Sequence, residues 1–204
     1  MLYYKKLFRS ELINMNFTKK AIIEAFWKLL EEKPYNKITV KEIVDSCQVN
    51  RNTFYYHFHD IPDLLEQIIK KDADDIIQMN TNFGSPMDCL TPLVQYCLNH
   101  QKAILHIYNS VHREVFLNEF NKLGVYLVTQ YIDTVTAELT LQPTDKELLI
   151  RLYKCVLVGI FLDWLNEGMN YDLLASFSRI CELLAGSSKQ AIFNAAIPNS
   201  KEIL

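Results

Sequence analysis

The stretch Thr39–Phe58, TVKEIVDSCQVNRNTFYYHF, is the most informative part of this sequence. Its first half predicts a short helix with a capping box, in which the Thr39 hydroxyl accepts from the backbone N–H of Glu42 and the Glu42 carboxylate accepts from the N–H of Thr39. Asn50 is a favourable N-cap for a second short helix. Two capped helices separated by about three residues are typical of a helix-turn-helix, the supersecondary motif that places a helix in the major groove of DNA.

The second short helix carries the candidate base readers. Arg51 and Asn52 stand in its first turn, where a recognition helix meets base edges, so Arg51 can bind guanine and Asn52 adenine. Lys41, in the preceding helix, is a third base candidate. Hydroxyl and imidazole donors suited to phosphate oxygens are also present, and they are Thr39, Thr53, Tyr55, Tyr56 and His57. Phe54 and Phe58 are predicted to lie in the core. For Tyr55 and Tyr56, the alternative is that one packs in the core while the other reaches solvent.

The residues before this stretch predict one long amphipathic helix. Apolar residues at spacings of three and four begin after Thr18, a candidate N-cap, and Pro34 ends the pattern. Residues 1–16 are interpreted as an extension, either mobile or a basic arm along DNA, and Met15 is a candidate second start. The predicted DNA-binding domain is 17–70. A fourth helix follows Asp60 and persists to about residue 79.

The remainder of the chain predicts helices throughout. Gly84-Ser85-Pro86 is the strongest sequence signal for a domain boundary. After it, helices are predicted at 87–100, 102–110, 113–140, 144–166 and 171–185. Thr144 and Glu147 have the spacing of a second capping box, and Gly186 is the predicted end of the last helix. The predicted effector-binding and dimerisation domain is 71–186, with 187–204 as a tail.

Composition indicates an ordinary globular protein. Half of the 204 residues are apolar and 22% are charged. The net charge of −3 divides unevenly: residues 1–72 hold twelve Lys and Arg against ten Asp and Glu (+2), and residues 73–204 hold nine against fourteen (−5). The longest uncharged apolar run, Cys155 to Leu162, is eight residues, far short of a membrane span. Without a signal-peptide pattern, the expected compartment is the cytoplasm.

Catalytic and metal-binding patterns are absent from the sequence. No nucleophile elbow, phosphate loop or HExxH occurs, so an enzyme is not expected and no cofactor is predicted. His57 and His59 lack a third ligand nearby, and His100, His106 and His112 do not share one helical face, so no metal site is predicted. The five scattered cysteines are expected to be buried free thiols.

Aromatic and imidazole side chains are frequent in the second half of the chain. An apolar cavity with a few polar groups is how small-molecule pockets are built, and an aromatic-rich core is the alternative. The candidate pocket residues are Tyr96, His100, Tyr108, His112, Phe116, Phe120, Tyr126, Tyr153 and Trp164.

The 39–58 stretch, preceded by a long amphipathic helix and followed by the DLLEQI helix, closely resembles the DNA-binding domain of the TetR family over about residues 17–70. TKKAIIEA and TFYYHFHDIPDLL are further similar to regulators of dihydroxyacetone kinase operons. The chain departs from the family in two places. Gln48 stands where the family usually has glycine, and His59 and Ile61 stand where it usually has lysine, which weakens a phosphate contact.

The resemblance implies an all-α protein with an N-terminal three-helix helix-turn-helix domain and a C-terminal helical ligand-binding and dimerisation domain. It implies a homodimer formed through the helices at about 144–166 and 171–185. We therefore expect a transcriptional repressor that binds a double-stranded palindromic operator and is released by a small-molecule effector. Two alternatives are open: a co-regulator or activator that works chiefly through a protein partner, and a helical-bundle enzyme, which the missing catalytic pattern disfavours.

Overall fold

The computed structural model describes residues 2–79 and 83–196, with the side chains of residues 17–78 and 83–196. These residues form nine α-helices and no strand. The helices are α1 (Leu2–Glu32), α2 (Val40–Ser46), α3 (Arg51–His57), α4 (Ile61–Met79), α5 (Pro86–Asn99), α6 (Gln101–Tyr108), α7 (Arg113–Val135), α8 (Pro143–Asn166) and α9 (Leu173–Asn194). The predicted all-α fold is confirmed.

Helix α1 is longer than the sequence predicts. It runs from Leu2 to Glu32, so Thr18 lies inside the helix, and the prediction that Thr18 caps it is wrong. The reason is local, because residues 2–18 contain neither proline nor glycine and nothing in them stops a helix. The helix ends before Pro34, as predicted, and a single 3₁₀ turn at Tyr35–Lys37 leads to α2.

The predicted helices of the second half are observed, but two of their ends are displaced. Helix α7 stops at Val135, within a β-branched run at residues 134–136 that weakens a helix. Helix α9 continues past Gly186 to Asn194, so the prediction that the helix ends at that glycine is wrong. The extension is held at its end, because the carbonyl of Ala195 accepts from the backbone N–H of Gln142 at 3.0 Å.

The second predicted capping box is also wrong. Helix α8 begins at Pro143, with Gln142 as its N-cap and no side-chain cap bond. Proline at the first helical position has a preset φ and no N–H to leave unsatisfied, so it starts the helix one residue before Thr144. Helices α7 and α8 approach each other closely at Gly124 of α7. A Cβ at that position would lie 3.2 Å from Cγ2 of Val158 in α8.

The chain divides into two compact units. The N-terminal unit comprises Met1–Asp72 and His100–Phe116, and the C-terminal unit comprises Ala73–Asn99 and Leu117–Leu204. The sequence places residues 100–116 in an effector-binding domain, whereas here they pack with the N-terminal helices. Helix α4 contributes to both units, and the chain passes between the units three times.

Each unit has its own apolar core. In the N-terminal unit, Phe26, Phe54 and Phe58 are almost completely buried, and in the C-terminal unit Phe161 and Trp164 are. Phe120 stacks on Phe161 with ring centroids 4.3 Å apart. None of the described helices combines the length and apolar composition that crossing a membrane requires.

Candidate nucleic-acid interface

The N-terminus of α2 has the capping geometry that its sequence predicts. The Thr39 hydroxyl oxygen accepts from the backbone N–H of Glu42 at 3.3 Å, and the Glu42 carboxylate accepts from the backbone N–H of Thr39 at 3.0 Å. Lys33, which directly follows α1, donates to the same carboxylate at 2.5 Å. That contact, with the hydrogen bonds from Thr39, lowers the pKa of Glu42. The entry to the helix-turn-helix is thereby attached to α1.

The N-terminus of α3 is capped by Asn50. Its side-chain oxygen accepts from the backbone N–H of Thr53 at 2.8 Å and from the Thr53 hydroxyl at 3.0 Å. Phe54 and Phe58 face the core, as predicted, at 0% and 1% exposure. The helix therefore has a fixed start and a fixed buried side, which determines the side it presents to solvent.

Replacing the cap of α3 tests this local account. We expect Asn50→Ala to lower the free energy of unfolding by about 1 kcal/mol, because a backbone N–H and the Thr53 hydroxyl both lose their acceptor. A urea-unfolding midpoint measures the change. Asn118→Ala, at an exposed position inside α7, serves as the control and is expected to leave the midpoint unchanged or raise it slightly. Equal midpoints for Asn50→Ala and the unmodified protein would show that the cap does not stabilise α3.

The predicted base readers are all exposed. Lys41 lies on the surface of α2, and Arg51 and Asn52 lie on the surface of the first turn of α3. Tyr55 and Tyr56 are 55% and 68% exposed, which is unusual for side chains of this size. Both tyrosines reach solvent, so neither packs in the core as one alternative supposed.

The remaining predicted phosphate contacts are partly engaged within the protein. The hydroxyls of Thr39 and Thr53 donate to Glu42 and Asn50 at 2.9 and 3.0 Å, so each must redirect its single hydrogen in order to donate to a phosphate oxygen. Burial lowers the pKa of His57, and the positive charge of Lys19 adds to the shift, so the imidazole is neutral near pH 7. A neutral imidazole still offers one N–H to a phosphate oxygen.

Within the N-terminal unit, three histidines for which the sequence predicted no metal site hold residues 100–116 against α1 and the turn after it. His106 Nδ1 lies 2.6 Å from the carbonyl oxygen of Leu30 in α1. The ring of His100 packs on Trp27 with centroids 4.9 Å apart, and the ring of His112 meets Tyr35 at 5.1 Å. Two candidate pocket residues, His100 and His112, thus pack against α1 and the turn that follows it.

The other candidate pocket residues divide between the units. Tyr108 and Phe116 lie in the N-terminal unit, in edge contact with each other at 6.3 Å. Those in the C-terminal unit are Tyr96, Phe120, Tyr126, Tyr153 and Trp164. Phe120 is in the stacked core, and the indole N–H of Trp164 donates to the carbonyl of Tyr171 at 3.0 Å. The set does not form one cluster within either unit, and the pocket remains a prediction.

The C-terminal unit contains a half-buried phenol, that of Tyr131, which no sequence motif singles out. Burial raises the pKa of Tyr131 on α7, with further electrostatic contributions from Tyr153, Cys181 and Cys89. These four groups come from four different helices, α7, α8, α9 and α5. Their sequence spacing gives no sign of the association, because only tertiary packing brings them together.

Helices α8 and α9 expose large apolar side chains. On α8, Leu148, Leu152 and Val156 recur every four residues and are 54%, 55% and 37% exposed. On α9, Leu183 and Leu184 are 66% and 48% exposed. We call these five residues the α8–α9 stripe. The spacing on α8 places its three residues on one face of the helix.

Comparison with known families matches both halves of the chain. The family described as "Bacterial regulatory proteins, tetR family" matches residues 22–68. The family described as "Transcriptional regulator C-terminal region", a TetR C-terminal type, matches residues 84–186, half of the chain. These are regulators and not enzymes, as the sequence predicts.

Individual relatives are more distant. An uncharacterised HTH-type transcriptional regulator of Bacillus subtilis, YxbF, is 22% identical over 188 residues, covering 88% of this chain and 48% of its own. The transcriptional activator of the dhaKLM operon of Lactococcus lactis, DhaS, is 30% identical over 84 residues, covering 41% of this chain and 45% of its own. The chain thus spans about half the length of these relatives.

A solved structure has the same fold. The structure of the dihydroxyacetone kinase operon activator DhaS superposes with a TM-score of 0.70 at 24% identity, covering 84% of this chain and 96% of that one. The predicted similarity to regulators of dihydroxyacetone kinase operons is confirmed at the level of sequence relationship and fold.

Proposed function

Because this chain belongs to the TetR family of bacterial transcriptional regulators, we propose that it binds a palindromic operator as a homodimer and represses transcription until a small molecule releases it. The observation that carries the proposal is the surface of α3. Its buried side is fixed by Phe54, whereas Arg51, Asn52 and the two tyrosines project into solvent from a capped helix. A rigid helix with exposed hydrogen-bonding side chains suits the major groove.

Contacts to DNA divide between two roles in this proposal. Arg51, Asn52 and Lys41 read base edges, because their side chains can match donor and acceptor patterns in the groove. Thr39, Thr53, Tyr55, Tyr56 and His57 bind phosphate oxygens and set the register. Since bacterial chromosomal DNA lies in the cytoplasm, the proposed activity is cytoplasmic.

The α8–α9 stripe supports the proposed homodimer. Large apolar side chains on one helical face lose contact with water when a second copy covers them, and an isologous contact buries the same face on both chains. A two-fold axis through such an interface also matches a palindromic operator, since each copy then reads one half-site. The proposed interface is α8 with the first two-thirds of α9.

The proposed effector site lies in the C-terminal unit, near the half-buried phenol of Tyr131. Phenol and thiol groups from four helices provide a few hydrogen-bonding atoms there, and the same unit contains the aromatic core around Phe120 and Phe161. Such surroundings suit a largely apolar small molecule with a polar group. In this proposal the protein has two conformations, and only one of them fits the operator. An effector that binds the other conformation more tightly lowers DNA affinity, at most by the ratio of its affinities for the two conformations.

Two segments connect the proposed effector site to the reading helices. Helix α4 belongs to both units, and residues 100–116 leave the C-terminal unit to pack on α1 through His106, His100 and His112. We propose that an effector signal passes to the reading helices along these two segments.

Binding to DNA flanking the gene for this protein tests the proposal. In an electrophoretic mobility-shift titration, we expect a discrete complex that survives excess nonspecific competitor DNA. Deletion of the gene is expected to raise transcription of the bound operon. Failure to retard any flanking fragment under low salt would contradict operator binding, and lower transcription in the deletion strain would contradict repression.

A second candidate is a transcriptional activator that works through a protein partner. It is favoured by the sequence similarity to DhaS, which is described as an activator. The weak charge next to α3, where His59 and Ile61 replace lysine, also fits a regulator whose DNA binding is strengthened by another protein. Loss of transcription on deletion, together with a discrete DNA complex, would support this candidate over the repressor.

A further inference from the structure

The turn between α2 and α3 contains a residue in an unfavourable backbone conformation. Gln48 has a φ of +56°, in the left-handed region that glycine adopts easily and side chains with a Cβ rarely do. It follows the C-cap of α2, and the backbone N–H of Val49 donates to the carbonyl of Val44 at 3.0 Å. This is the Schellman arrangement, in which the left-handed position is usually glycine.

The same chain uses glycine in the same arrangement elsewhere. At the end of α8, Gly168 has a φ of +68°, and the backbone N–H of Met169 donates to the carbonyl of Trp164 at 2.8 Å. Local stability therefore favours glycine at both positions, and the α2–α3 turn carries a long polar side chain instead. Met169 also has a positive φ, of +59°, but its side chain is buried in the core, whereas that of Gln48 is exposed. A strained position that persists at a functional surface points to a role for the side chain.

The place of Gln48 suggests that role. Its side chain is exposed, and it stands two residues before the N-cap of α3 and three before Arg51. In a helix-turn-helix the second helix enters the groove while the first crosses the DNA backbone, so the turn between them lies beside a phosphate strand. A glutamine amide provides two N–H donors for phosphate oxygens.

We propose that Gln48 donates a hydrogen bond from its side-chain amide to a phosphate of the operator, as a positioning contact next to the base-reading end of α3. The proposal rests on operator binding by this protein. It also offers a replacement for the phosphate contact that His59 and Ile61, in place of lysine, weaken after α3. In the DNA complex, this hydrogen bond then offsets the conformational free energy that the positive φ of Gln48 costs.

Gln48→Gly separates stability from binding. Without the Cβ the turn relaxes, so we expect the melting temperature to rise by about 2–4 °C. Operator affinity is expected to fall by about tenfold for each half-site, because each chain of the proposed homodimer loses one hydrogen bond to a charged group. A more stable protein that binds more weakly is not the result of damage to the fold.

Phosphate-ethylation interference on the operator identifies the contact directly. We expect one ethylated phosphate in each half-site to weaken binding of the unmodified protein but not of Gln48→Gly. Gln48→Lys, which keeps the strained backbone and a donor, is the matched control and is expected to retain the interference at that phosphate. Identical interference patterns for the unmodified protein and Gln48→Gly would overturn the proposal alone. A lack of specific binding by the unmodified protein would overturn operator binding and this proposal together.

Discussion

Arg51→Ala is expected to weaken binding to the operator by about 1–3 kcal/mol, roughly fivefold to more than a hundredfold, and to relax preference at one base pair in each half-site. The reason is geometric, because a guanidinium can donate two hydrogen bonds to one guanine edge, and alanine can donate none. Arg51 is exposed in the first turn of α3, so its loss removes little packing. Fluorescence anisotropy with the operator and with single-base variants measures both effects.

Two control variants separate base reading from charge. Arg51→Lys keeps the positive charge without the planar fork, so it is expected to preserve nonspecific binding and lose the base preference. Lys37→Ala removes a positive charge from an exposed position outside the helix-turn-helix and is expected to leave the base preference intact. Unchanged affinity and base preference in Arg51→Ala would show that Arg51 does not read a base.

Leu152→Glu is expected to convert the proposed homodimer into a monomer. The substitution places a carboxylate in the middle of the three α8 residues of the α8–α9 stripe, where a second copy would bury it without a partner of opposite charge. Since Leu152 is 55% exposed in the single chain, the fold itself is expected to survive. A monomer binds one half-site only, so operator affinity is expected to fall by at least about a hundredfold.

Sedimentation velocity and an operator titration on the same sample measure this result. Leu98→Glu is the matched control, because Leu98 is a similarly exposed leucine (49%) on α5, outside the α8–α9 stripe. It is expected to leave both the dimer and the operator affinity unchanged. A Leu152→Glu protein that remains dimeric would show that the copies associate through another surface.

The helix-turn-helix was predictable because its determinants are local. Capping by Thr39 and Asn50 depends on residues three apart in sequence, and both caps occur in the structure. Where a local pattern competed with other interactions, prediction failed. Proline at residue 143 started α8 before the predicted capping box, and the contact of Ala195 with Gln142 accompanies a last helix that runs well past Gly186.

The packing of residues 100–116 was not predictable from the sequence. Nothing local indicates that His106 lies against the carbonyl of Leu30, 76 residues earlier, or that His100 packs on Trp27. The position of Tyr131 among groups from three other helices likewise depends on tertiary packing. Periodicity identifies a buried face of a helix, but it does not identify which helix covers that face.

Selection of binding sites from a pool of random DNA duplexes tests recognition of a palindromic operator by a homodimer. We expect the unmodified protein to enrich an inverted repeat, bound by two chains, and Arg51→Ala to enrich the same repeat with one position of each half-site relaxed. Enrichment of no sequence, or of a site without two-fold symmetry bound by a single chain, would contradict operator recognition by a homodimer.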